Sequence, residues 1–105
     1  MSYLEMIQAN CTLAELSNAL EVSIHALREK PWDMKTYRAE ANAVIEVGGY
    51  LLKQFNKLKR KFWLLGEKRK VNKEKVEQMR ALLHALNFHV KVLEDYRYCN
   101  EWKKL

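Results

Sequence analysis

The chain has 105 residues, 49% of them hydrophobic and 30% charged, with three glycines and one proline, a composition that fits one helix-rich domain and leaves no room for a second. No stretch approaches the roughly 20 consecutive apolar residues of a membrane span; the most apolar run, 43–52, is interrupted by Glu46 and by Gly48-Gly49. The formal net charge is +6, yet residues 1–52 hold four basic and seven acidic side chains while residues 53–105 hold fifteen and six, so the anionic partner that a basic protein suggests would be met by the second half.

The opening Met1-Ser2-Tyr3-Leu4-Glu5 lacks the basic start and apolar core of a signal peptide, and a cytoplasmic setting is expected. Cys11 and Cys99 lie far apart and outside any C-x-x-C spacing; in such a setting they are expected as thiols. Thr12-Leu13-Ala14-Glu15 is a capping box, so a helix should begin there.

From Thr12 to Lys30 the sequence TLAELSNALEVSIHALREK resembles the bacterial and phage helix-turn-helix family of DNA-binding modules. Leu13, Leu16 and Leu20 pattern a first helix, Glu21-Val22-Ser23 stands at the turn, and Ala26 and Leu27 belong to a second, short helix. Glu21 occupies the place where the family usually has a glycine, Ser17 the place of an alanine, and Lys30 a place that is usually apolar. The resemblance implies that the second helix is offered to the major groove, with Ser23, Ile24, His25 and Arg28 as the base-reaching residues. Of these, Arg28 has the bidentate geometry that reads guanine.

Pro31-Trp32-Asp33 punctuates the chain into parts 1–32 and 33–105, because proline ends a helix and biases its neighbour away from helical angles. In the second part Tyr37, Ala41, Val44, Gly48, Leu51, Phe55, Leu58, Phe62 and Leu65 recur at alternating steps of four and three, a heptad-type seam that Gly66 should stop. Asn72 then reads as an N-cap, and Val76, Met79, Leu83, Leu86, Val90 and Leu93 repeat the spacing. Two helices of about 30 residues, each roughly 45 Å long, predict an antiparallel hairpin. Folding about residues 68–71 sets Leu58 near Leu83, Leu51 near Val90, and Gly48-Gly49 near Leu93 and Tyr96, with small residues of one arm facing Tyr96, Tyr98 and Trp102 of the other. Ile45, Leu52, Trp63, Leu64, Leu82 and Val92 fall off the seams, and some of that surface should pack on residues 1–32 or on another subunit.

The hairpin tip concentrates the charge. Lys53, Lys57, Lys59, Arg60 and Lys61 approach the turn, Lys68, Arg69 and Lys70 occupy it, and Lys73, Lys75 and Arg80 leave it, diluted by Glu67, Glu74 and Glu77. A phosphate backbone laid across this end would displace several counterions, giving salt-sensitive affinity without sequence reading. Phe62 and Trp63 lie within the cluster, where they could stack on exposed bases.

His84 and His89, five apart on a helix, cannot readily clamp one ion, and no phosphate loop, nucleophile elbow or paired Cys/His spacing is present. The sequence therefore predicts no enzyme, no metal and no cofactor. The expected fold is all-α, a single domain over 1–105 with a short helix-turn-helix-like unit packed on a long antiparallel helical hairpin. The expected function is nucleic-acid binding through Ser23, His25 and Arg28 and through Lys57, Lys59, Arg60, Lys61, Lys68, Arg69, Lys70 and Lys73, with duplex DNA favoured. The protein would act as a homo-oligomer or a subunit of a larger complex, without a membrane or small-molecule substrate. In plan it looks like small phage DNA-packaging subunits and phage regulators. The alternative is an all-helical interaction subunit or inhibitor of a host nucleic-acid-handling complex, such as an RNA-guided defence complex.

Overall fold

The computed structural model describes residues 2–64 and 69–102, with side chains over 2–60 and 73–101. Four helices follow one another: α1 (Tyr3–Gln8), α2 (Leu13–Glu29), α3 (Met34–Leu64) and α4 (Arg69–Trp102). No strand occurs among the described residues, and the fold is all-α. The two long helices pack along each other as the expected hairpin, α1 lies mainly on α3 and α2 mainly on α4, in a rod of 58 × 23 × 17 Å. None of the described helices is long and apolar enough to cross a membrane.

Local chemistry sets each boundary. Ser2 caps α1, its hydroxyl accepting the Glu5 amide at 3.2 Å. The helix closes where the Cys11 amide reaches back to the Met6 carbonyl and the Asn10 amide to Ile7. Asn10 takes the left-handed conformation, φ 59°, that this closure requires and that asparagine tolerates. The capping box at Thr12 forms as the sequence predicts, with both the Thr12 hydroxyl to Glu15 amide and the Thr12 amide to Glu15 carboxylate bonds made. At the Pro31 boundary Asp33 starts α3: its carboxylate accepts the Lys35 amide at 3.2 Å and the Thr36 hydroxyl at 2.7 Å. Those two bonds, the Thr36 one first, hold its pKa below the usual value.

The first segment departs from the expected plan. The turn at Glu21-Val22-Ser23 is not formed; α2 continues without a break from Leu13 to Glu29. The reason is the surface that α2 meets. Leu16, Leu20, Ile24 and Leu27 are all buried and make one stripe only if the helix register runs through residues 21–23. The bend between two short helices lies earlier, at residues 9–12, between α1 and α2.

One polar cluster takes a residue from each of the four helices. Glu40 of α3 accepts a hydrogen bond from the Tyr3 hydroxyl of α1, and its Oε1 lies 3.1 Å from Nε2 of His89 on α4. Ser23 Oγ of α2 is 2.6 Å from the same tyrosine oxygen. The phenol has one proton, which goes to the carboxylate, so Ser23 is the donor in that second bond. Burial pushes the Glu40 pKa up, but the hydrogen bonds from His89 and Tyr3 outweigh it and hold the group below its ordinary value. Tyr3 is shifted upward by burial and by the adjacent carboxylate, so it stays neutral.

The hairpin register follows this cluster. Folding about 68–71 would have placed Glu40 level with Glu101, whereas it meets His89, and Arg97 stacks over Tyr37 at 5.7 Å. Because α3 ends at Leu64 and α4 has begun by Arg69, the chain reverses sooner than expected and Asn72 lies inside α4, not at its cap. Gly66 lies outside the described residues. Tyr96 therefore does not face the glycines; it packs on Trp32 at 5.5 Å and donates to the Leu27 carbonyl at 2.7 Å, satisfying one of the last carbonyls of α2. Tyr98 is exposed, and the Trp102 side chain lies outside the described residues.

Burial also shifts from the single seams. Tyr37, Val44 and Leu51 are buried as expected, joined by Val47, since α3 carries α1 as well as α4. On α4 the buried line is Leu82, Leu86, His89 and Leu93, turned toward α2. Of the off-seam residues, Leu82 is buried and Val92 half-buried, while Ile45 and Leu52 remain 67% and 49% exposed and do not pack on residues 1–32. The Trp63 and Leu64 side chains lie outside the described residues.

Two expected outcomes rest on this packing. A Cβ added at Gly48 or Gly49 would meet nothing within 4 Å, so Gly48→Ala and Gly49→Ala should each raise stability by about 1 kcal/mol through helix propensity alone, read as a higher melting temperature. The folded pKa of Glu40 lies below its unfolded value, so its contribution is complete above the usual carboxylate range and is lost as pH falls through the depressed pKa. Glu40→Gln should lower stability at neutral pH by about 1–3 kcal/mol and flatten the loss below about pH 4.5; denaturant melts across pH 3–7 would show an undiminished acid slope if the cluster carried no weight.

Candidate nucleic-acid interface

Coverage of the hairpin is uneven. The Gln78 side chain donates to the Cys11 carbonyl just ahead of α2, and Tyr96 to Leu27 near its end, so α2 runs parallel to α4 and covers it from about residue 78 to 96. Beyond that, no described side chain between Leu51 and Leu82 is buried. The hairpin there is two helices without a third, extending over the last 13 residues of α3, about 20 Å at 1.5 Å per residue.

The cations stand on this uncovered part. Lys53, Lys57 and Arg60 follow the i, i+4, i+7 spacing of a single helix face, and all three are exposed. Lys59 points elsewhere, its Nζ 4.9 Å over the ring of half-buried Phe55, a cation–π contact that shields an aromatic face no third helix covers. Across the hairpin Lys73 and Lys75 are exposed, with the carboxylates Glu74 and Glu77 interspersed, and Arg80 is exposed just inside the stretch that α2 covers. Among the described residues none of these seven cations is in an ion pair. The side chains of Lys61, Phe62, Trp63, Arg69 and Lys70, and the whole of Lys68, lie outside the described residues.

The residues expected from the helix-turn-helix resemblance are placed differently. Ser23 is half-buried and bonded to Tyr3, and Ile24 is buried. His25 and Arg28 are exposed, but Arg28 is in the last turn of α2, at the level of Tyr96. That is 18 residues of α4 from Gln78, about 27 Å along the rod from where the bare hairpin begins. The two groups of expected contacts therefore sit at opposite ends and do not form one surface.

Sequence reasoning did not single out a feature on the α2–α4 side. Phe88 is 70% exposed beside a hollow between the two helices. Its signal was present: Phe88 belongs to neither three-four seam, and the small residues Ala81 and Ala85 precede it at helical spacing.

No family model matches the chain, and no curated protein or solved structure is significantly similar to it.

Proposed function

We propose that this protein is a non-enzymatic nucleic-acid-binding protein that holds the phosphate backbone with the bare, basic end of its helical hairpin. The observation that carries the reading is the coincidence of charge with architecture. Lys53, Lys57, Lys59, Arg60, Lys73 and Lys75 lie exposed on the stretch of the hairpin that no third helix covers among the described residues, Arg80 lies exposed beside its edge, and Lys61, Lys68, Arg69 and Lys70 join them in sequence.

Residue type specifies the mode of contact. Lysine dominates the described set, and a flexible ammonium is a point charge that finds phosphate oxygens without fixing a bidentate bond to a base edge. Affinity should then come from counterion release and be nearly indifferent to sequence. Duplex DNA, whose axial charge density exceeds that of single strands, is the favoured partner. Arg28, remote from this end, adds no contact to the same stretch of backbone.

The quadruple variant Lys57→Ala, Lys59→Ala, Arg60→Ala, Lys73→Ala changes only exposed positions and should keep its helical circular dichroism. Its log K against log salt should be shallower than wild type by about three to four, at roughly 0.9 for each phosphate no longer neutralised, and equally so on unrelated duplexes. Fluorescence anisotropy at two or more salt concentrations, with duplex DNA, single-stranded DNA and RNA, reads this out. An unchanged slope removes the hairpin end from the interface. Absence of binding to all three at low salt rejects the reading in favour of a protein-interaction subunit.

A further inference from the structure

The hollow between α2 and α4 has a simple origin. The two cross-helix bonds, Gln78 to Cys11 and Tyr96 to Leu27, are 67 and 69 residues apart in sequence, so residues about 68 apart are level on the two helices. Leu13 faces Ala81, Ser17 faces Ala85, Leu20 faces Phe88 and Ile24 faces Val92, and all eight line the hollow. At the Ser17 and Ala81–Ala85 levels three small side chains oppose one another, and the helices leave about 490 Å³ unfilled. Immediately beside it Phe88 is 70% exposed and Leu13 41%. The Phe88 ring thus leaves most of its apolar surface in water beside an apolar groove.

We infer that this face is the contact surface for a second copy of the chain, each copy seating its Phe88 in the hollow of the other. The same patch carries both the projecting ring and the cavity, so a two-fold operation satisfies both at once, as an isologous interface requires. The charges agree. Glu21 lines the α2 side of the hollow, and Lys91, exposed and one turn beyond Phe88, flanks the α4 side. Neither is in an ion pair among the described residues. Seating Phe88 across the two-fold carries Lys91 onto the lip that bears the partner's Glu21, pairing opposite charges at the rim of an apolar centre. The bare basic end lies beyond Gln78 and stays free in such a dimer, so the inference does not depend on nucleic-acid binding.

Sedimentation equilibrium of the full chain without nucleic acid, over a wide dilution series, tests it. Wild type should dissociate from dimer to monomer on dilution. Phe88→Ala should weaken the dimer by about a thousandfold, since two-fold symmetry removes two aromatic anchors at roughly thirtyfold each, while leaving the melting temperature of the dilute monomer unchanged because the ring lies outside its core. Glu21→Lys and Lys91→Glu should each weaken association, and the double exchange should recover it. A monomer at every concentration overturns the inference, as does a dimer indifferent to Phe88→Ala or a double exchange that fails to recover affinity.

Discussion

A single carboxylate, that of Glu40, holds the arrangement of the four helices to one solution. Placing a charge in a half-buried site costs several kcal/mol unless donors replace its water, and here the donors are Tyr3 from α1 and His89 from α4, with Ser23 of α2 completing the chain of bonds through Tyr3. Each helix thereby contributes one side chain to a point. Sliding α1 or α4 by one turn, about 5.4 Å, would take one of its two donors from the carboxylate, and sliding α2 would take Ser23 from Tyr3. The apolar seams have no such discrimination: a three-four repeat offers nearly equivalent packing a heptad away. Hydrophobic burial supplies the attraction between the helices, and the polar cluster selects the register.

That selection explains why the rod is firm at one end and bare at the other. With Glu40 against His89, the level of Cys11 and Gln78 becomes the limit of α1 and α2. Among the described residues buried positions run out at Leu51 on α3 and Leu82 on α4, and the uncovered part shows half-buried contacts such as Val76, Met79, Phe55 and Leu58. The acidic half of the sequence falls largely in the covered region, while Lys53, Lys57, Lys59, Arg60, Lys73 and Lys75 of the basic half stand on the bare arms. The charge asymmetry of the chain is in this way a spatial asymmetry of the rod.

The long elements were legible because they rest on periodicity and punctuation. The capping box at Thr12, the break at Pro31 and the two extended three-four repeats each rest on a local rule, and each is present in the structure. What was not legible depended on the third dimension. The spacing of Leu16, Leu20, Ile24 and Leu27 was compatible with a turn at residues 21–23 and with one helix, and the choice was made by the surface those residues meet. α1 is only six residues long, too short for periodicity to declare it. The register could not be read because its determinants, Tyr3, Ser23, Glu40 and His89, are polar residues scattered over the chain; nothing in any local window marks them as a set. The basic end was visible as a charge run, but that it coincides with the absence of a third helix is a property of the fold.

The bare end carries an energetic tension that the covered end does not. Exposed like charges on adjacent helix arms repel one another, at about 1 kcal/mol per pair at 4 Å in water and less with distance and salt. Few buried contacts oppose them there: the cation–π contact of Lys59 with Phe55 is one local response, and the interspersed Glu74 and Glu77 are another. An anionic ligand would relieve the repulsion directly, since anything that binds the folded arms in preference to the frayed ones stabilises them by mass action. The same logic gives the covered end a separate role. Its Glu40 cluster, bonded to Tyr3 and His89, holds the two long helices in register, a task separate from the proposed capture of phosphate.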